Sequence, residues 1–322
     1  MGTTTISRPQ PTHQADTSLA QGVPRWLGVT WAAFAVAAFL TLEWADLTTW
    51  GWAVPIAAAL LVAVTAPAAR AVDWFRSRAD GRDLAVIVGL YVGVVALLRL
   101  AFVVFGTDNL LGLFFSYAGA LLLGVAGPVI YTVWVRGRSL RTLGIGLHNL
   151  RSTVALGGIL ALVQFAMTLW RIELPAPVDW VPLLVMSFMV GLFEAVFFRG
   201  FIQSRLQASF GTVVGVLGAA GLYGAYHVGY GMGGDEILFL FGLGVVYAIA
   251  FRLVDNILVL WPLLTPLGAF FNNVQAGDIE LPWASIAGFA DILVVMAAVI
   301  WIAIRHERRH VQHLRSDVTR GG

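Results

Sequence analysis

Three side chains suited to hydrolytic chemistry stand in stretches that are otherwise almost wholly apolar: Glu194, His227 and Asn272. A carboxylate can serve as a general base, an imidazole as a second base or a ligand, and an amide can donate to an oxyanion. An ionisable group in hydrocarbon costs about 2.5–3.5 kcal/mol, so each one needs a reason to be there. At a rise of about 1.5 Å per residue, Glu194 lies roughly 16 Å, His227 roughly 24 Å and Asn272 roughly 22 Å from the basic ends of their segments, depths that one cavity can share. Asn273 offers a second amide beside Asn272. Tyr223 stands four residues before His227 on the same helix face, where its phenol can support the ring or the site. Arg199 follows Glu194 by five residues, about 140° round an α-helix, which is poor geometry for a direct pair. Its guanidinium is expected to reach a neighbouring helix or the interface.

Two further intramembrane charges, Arg99 and Asp291, have compatible depths, roughly 22 Å and roughly 18 Å from the same side of a core about 30 Å thick. They are expected to form a buried structural ion pair. As a metal site the carboxylate and single imidazole are a thin set, because catalytic zinc takes about three protein ligands. If a divalent ion such as zinc binds at all, Glu194 and His227 are its candidates.

The elements that must position these groups are membrane helices. Of 322 residues, 59% are hydrophobic and 12% charged, about half the charged share of a soluble domain, which excludes an ordinary soluble enzyme. Cysteine is absent, removing disulfides, thiolate metal sites and cysteine nucleophiles together. All 20 basic side chains are arginine, so lysine-based covalent chemistry is also excluded. Residues 1–25 are polar and lack the apolar run of a signal peptide; they read as a disordered tail. Ten apolar segments follow: Trp26–Leu42, Trp50–Ala69, Leu84–Gly106, Leu110–Val135, Val154–Trp170, Val181–Arg205, Gly211–Val228, Glu236–Leu253, Ile257–Phe271 and Trp283–Ile304. The ninth holds Pro262 and Pro266 and is expected to be kinked or broken. Arginines collect after the even-numbered segments and in the tail, whereas Glu43, Asp46, Asp108, Asp235 and Asp278 follow odd-numbered ones. That alternation predicts both termini in the cytoplasm, and it assigns the net charge of +2 to membrane orientation and not to nucleic acid.

One motif is formal only. His306-Glu307-Arg308-Arg309-His310 has H-E-x-x-H spacing, which on a helix brings two imidazoles together for zinc. Both intervening residues are arginines, which oppose a divalent cation, and the segment reads as a positive-inside stop. Gly231-Met232-Gly233-Gly234-Asp235 misses the G-x-G-D of intramembrane aspartyl enzymes by one residue and reads as a loop.

Phe193-Glu194-Ala195-Val196-Phe197-Phe198-Arg199-Gly200 resembles the E-E-x-x-x-R-G block of the CPBP family, the intramembrane CAAX-protease and bacteriocin-processing proteins that include the type II CAAX prenyl endopeptidases. Tyr223-Gly224-Ala225-Tyr226-His227 is similar to its F-x-x-x-H block, and the segment ending in Asn272-Asn273 to its H-x-x-x-N block. Ala195 replaces the second glutamate, and Gly268 stands where the third block has its histidine. The resemblance implies that Glu194 is the base activating a water for peptide hydrolysis, His227 its partner and Asn272 or Asn273 the oxyanion donor. Arg199 would be a positioning group.

The expected protein is therefore an all-α, polytopic membrane bundle of about ten helices. Its parts are the 1–25 tail, N-terminal membrane helices over 26–142, a CPBP-like core over 143–273, a last helix over 274–304 and a basic tail over 305–322. Its partners are the bilayer and a membrane-embedded or lipidated peptide or protein. Three functions follow from different weights on the same residues: an intramembrane endopeptidase, a catalytically inactive relative acting as a scaffold, chaperone or immunity-like binding protein, or a transporter using Arg99 and Asp291.

Overall fold

The computed structural model describes residues 79–106, 108–169, 174–276 and 283–320, and every regular element among them is helical. The 1–25 tail and the first two expected segments, Trp26–Leu42 and Trp50–Ala69, lie outside the described residues. Helix α1 (Gly81–Phe105) starts at Asp80, whose carboxylate accepts from the backbone N–H of Arg82 and Asp83 at 3.1 and 3.3 Å. Helix α2 (Leu110–Val135) starts at Asn109, whose side-chain oxygen accepts from Gly112 N at 3.0 Å. Both are side-chain caps on the otherwise unpaired donors of a first turn. There follow α3 (Leu150–Leu169), α4 (Trp180–Phe210), α5 (Thr212–Tyr226), α6 (Gly234–Val254), α7 (Leu264–Ala276) and α8 (Trp283–Arg320). Helix α6 stops at Asp255, whose φ of +51° is left-handed.

Five helices among the described residues are long and apolar enough to cross a membrane: α1, α2, α4, α6 and the Ile286–Arg309 part of α8. Two other expected segments are short helices, α5 with 15 residues and the apolar Leu150–Leu162 part of α3. The ninth segment is not one helix. A 3₁₀ turn at Ile257–Val259 is separated from α7 by residues that include Pro262, which lacks the N–H that would carry a ladder onward.

Helix α4 is the centre of the bundle: 72% of its most apolar stretch is buried, against 11% for α8. Its first half packs on α7 and α8, and its second half on α5. Helices α5 and α6 cross closely because glycines meet there. A Cβ at Gly224 would stand 2.9 Å from the Ile237 carbonyl oxygen, and one at Gly244 would stand 2.9 Å from the Tyr223 ring.

At one end of the bundle a charge cluster ties three helices together. Asp83 on α1, 4% exposed, accepts from Tyr131 Oη at 2.6 Å and Arg138 at 2.9 Å, with Arg136 Nε at 3.3 Å. Arg136 also pairs with Asp80, and Arg205 of α4 comes within 3.9 Å of Asp83 while donating to Thr132 Oγ1 at 3.1 Å.

Candidate active site

Glu194 closes the regular α-helical part of α4; from Ala195 to Gln203 the helix widens to i→i+5 hydrogen bonding. The same widening recurs at Leu100–Phe105, Gly119–Ala126 and Tyr131–Val135, so it does not mark a site by itself. The widening changes which residues share a face. An i→i+5 ladder turns Arg199 back toward the side of Glu194, where the α-helical estimate of about 140° had set it apart. They do not close into an ion pair within 4 Å among the described residues. Arg199, 1% exposed, lies over the Tyr223 ring at 5.0 Å, and its Nη1 and Nη2 find no acceptor among the described residues. The expectation that it reaches a neighbouring helix is met through that ring, and the interface alternative falls away with its burial.

The Glu194 carboxylate is 6% exposed and meets two phenols from α5. Tyr226 Oη donates to Oε1, and Tyr223 Oη donates to Oε2 at 3.3 Å. His227 opens the 3₁₀ turn His227–Tyr230 that continues α5. Its Nδ1 lies 2.9 Å from the Tyr223 carbonyl oxygen, which can only accept, so Nδ1 carries the proton and Nε2 keeps the lone pair. Tyr223 thus touches the acid with its hydroxyl and the imidazole with its backbone. The Tyr226 ring centroid lies 4.1 Å from that of His227, and Phe198 of α4 packs on Tyr226 at 4.6 Å. Arg99 donates to the Val228 carbonyl at 2.9 Å, satisfying an acceptor in the His227 turn. No ion pair joins Arg99 to Asp291 among the described residues, and both side chains are exposed. Compatible depth fixed neither helix's rotation about its axis, which is what a pair requires.

Helix α7 contributes differently. Asn273 donates to the Ala269 carbonyl one turn back at 2.8 Å, so its amide is used within its own helix. Asn272 lies in α7 and its side chain is outside the described residues. At Gly268 a Cβ would stand 2.7 Å from Tyr247 Oη and 2.8 Å from Gln164 Nε2, and Tyr247 Oη donates to Gln164 Oε1 at 3.2 Å. A phenol from α6 and an amide from α3 therefore occupy the space into which a side chain at 268 would grow. Three groups escaped the sequence reading: Tyr226, Tyr247 and Gln164. Only Gln164, a primary amide within an apolar helix, carried a signal of the kind that singled out Glu194.

The donor set does not fit a protein-bound metal. Among the described residues no three His, Asp or Glu side chains converge, and both Glu194 oxygens already accept from tyrosine hydroxyls. In the tail motif Glu307, which would be the base and not a ligand, accepts from Leu140 N and from Ser139 Oγ, and the side chain of His310 lies outside the described residues.

The fold and these buried polar groups define an all-helical, multi-pass membrane protein with ionisable side chains gathered between α4 and α5. Residues 176–263 match the model of the family described as type II CAAX prenyl endopeptidase Rce1-like, which supports the CPBP/CAAX protease family read from the motifs. The matched stretch includes Glu194, Arg199, Tyr223 and His227 and ends before Asn272. No curated protein and no solved structure matches the chain.

Proposed function

We propose that the protein is an intramembrane endopeptidase that cleaves a membrane-associated peptide, with Glu194 and His227 activating a water. One observation carries this reading: Tyr223 and Tyr226 of a single helix donate their hydroxyls to a carboxylate from α4, and the His227 ring lies against the rings of the same two tyrosines, with centroids 5.3 and 4.1 Å away. In this mechanism a water displaces the Tyr223 hydroxyl, the longer of the two bonds to Glu194. Glu194 takes one proton as the water oxygen adds to the peptide carbonyl carbon, and His227 Nε2 accepts from the other O–H. The C–N bond then breaks as the proton on Glu194 passes to the leaving nitrogen, giving a carboxylic acid and an amine. Asn272 is the proposed oxyanion donor, a choice supported by the engagement of Asn273 in its own helix. Arg199 is a positioning group, and Tyr223 is one through its backbone carbonyl, which holds His227 Nδ1. The alternating arginines of the connecting segments support cytoplasmic termini.

A second reading, a catalytically inactive relative that binds a membrane peptide, is favoured by the packing at Gly268, where Tyr247 and Gln164 fill the place of the third-block histidine. The two separate in one experiment. Membrane peptides from cells carrying the native protein are compared with those from cells carrying E194Q, with matched protein levels in the membrane. Loss of a cleavage product by about 10²–10⁴-fold in E194Q supports hydrolysis. Identical peptide profiles with an unchanged bound peptide support the inactive reading.

A further inference from the structure

The charged end of α8 and the end of α2 build a second site. Glu307 holds Leu140 N and Ser139 Oγ, the latter at 3.3 Å, and the His306 ring packs against Trp134 with centroids 5.3 Å apart. Between these contacts lies a cleft of about 320 Å³ lined by Trp134, Ile302, Arg305, His306 and Arg309. Its two ends differ in chemistry. From Ile302 to Arg309 the helix rises roughly 10 Å, with the apolar Ile302 at one end, Trp134 beside His306 part-way along and Arg309 at the other end. A bilayer changes character over a similar distance: a core of about 30 Å within about 40–45 Å overall leaves roughly 5–8 Å of headgroup on each side. Arg305 is held by the Trp301 ring, its guanidinium 3.6 Å from the ring centroid.

The charge balance at this end is incomplete. Asp80 and Asp83 are taken by Arg136 and Arg138, and Glu307 is turned to the neutral donors Leu140 N and Ser139 Oγ and not to an arginine. Among the described residues Arg305 and Arg309 make no ion pair. Two unpaired guanidiniums beside an indole and an aliphatic side chain suit a phosphate joined to an acyl chain. We propose that this cleft binds the headgroup of an anionic phospholipid, its phosphate on Arg305 and Arg309 and the start of its acyl chains on Ile302 and Trp134. This site is independent of Glu194 and of any peptidase activity.

The test uses the full-length protein in detergent, titrated with phosphatidylglycerol or phosphatidylcholine and followed by native mass spectrometry. The native protein should retain phosphatidylglycerol in preference to phosphatidylcholine. R305Q/R309Q should bind phosphatidylglycerol about 25-fold more weakly, at about fivefold for each arginine near an anionic surface. R141Q/R308Q, equal in charge but outside the cleft, should bind as the native protein does. Size-exclusion profiles establish that each variant is folded. Equal retention of the two lipids, an equal loss in R141Q/R308Q, or full displacement of phosphatidylglycerol by inorganic phosphate would each overturn the proposal. The second result would mean diffuse surface charge, and the third a site for free anions.

Discussion

Glu194 accepts one hydroxyl on each oxygen, and the two are unequal. Removing the Tyr226 hydroxyl leaves Oε1 without its donor in a buried setting, where a hydrogen bond to a charged group is worth about 1.5–3 kcal/mol. Tyr226→Phe should lower stability by about that amount in thermal unfolding in detergent, and Tyr223→Phe, which removes a 3.3 Å bond, by clearly less. Y223F should also spare or raise the rate of any cleavage, since water must displace that hydroxyl, whereas Y226F should reduce it. Glu194, Arg199 and His227 were legible in the sequence because an ionisable group in hydrocarbon is expensive wherever it points. Tyr226 and Tyr247 were not, because phenols are common in membrane helices and only a partner's position makes Tyr226 a donor to a carboxylate and Tyr247 a donor to an amide. The Arg99–Asp291 pairing failed for a related reason: depth follows from counting residues along a helix, but facing requires knowing its rotation.

At the scale of elements, the close crossing of α5 and α6 gives a paired prediction. Alanine normally stabilises a helix interior relative to glycine by about 0.8–1.0 kcal/mol. Gly221→Ala, with nothing within 4 Å of the added methyl, should be neutral or stabilising. Gly224→Ala places the methyl 2.9 Å from a backbone oxygen and 3.0 Å from Phe241 N, so α5 and α6 must separate. That overpacking should cost about 1–3 kcal/mol, read as a fall in the unfolding temperature against G221A. The long apolar runs of α1, α2, α4 and α6 were readable from hydropathy to within a few residues, because a bilayer demands both length and apolarity. The π-helical stretch was not readable, since no residue type in Ala195–Gln203 requires an i→i+5 ladder. Helix α7 shows the opposite case: prolines announced the break in the ninth segment, although not where the helix would resume.

Across the whole molecule, the Asp83 cluster joins the beginning of α1, the end of α2 and the end of α4. Asp83→Asn keeps the shape but leaves Arg136 and Arg138 to share Asp80, and Arg205 without a carboxylate among the described residues; breaking such a buried pairing costs about 3 kcal/mol. Thermal unfolding should show that loss at low salt. The gap between D83N and native protein should narrow at high salt, because Arg136 and Arg138 are 20% and 33% exposed. Arginine placement in the sequence indicated which ends of the helices face one side, but Asp83 drew no notice there because a carboxylate near a helix start is an ordinary cap. Helix α4 carries Glu194 just before its widened stretch and Arg205 just after it. Deleting any single residue between them would turn everything beyond by about 100°. Arg205 would swing away from Asp83 while Glu194 stayed against its tyrosines. The two ends of this helix are keyed like lobes on a camshaft, so that α4 tolerates exchanges of side chain far better than any change in its length.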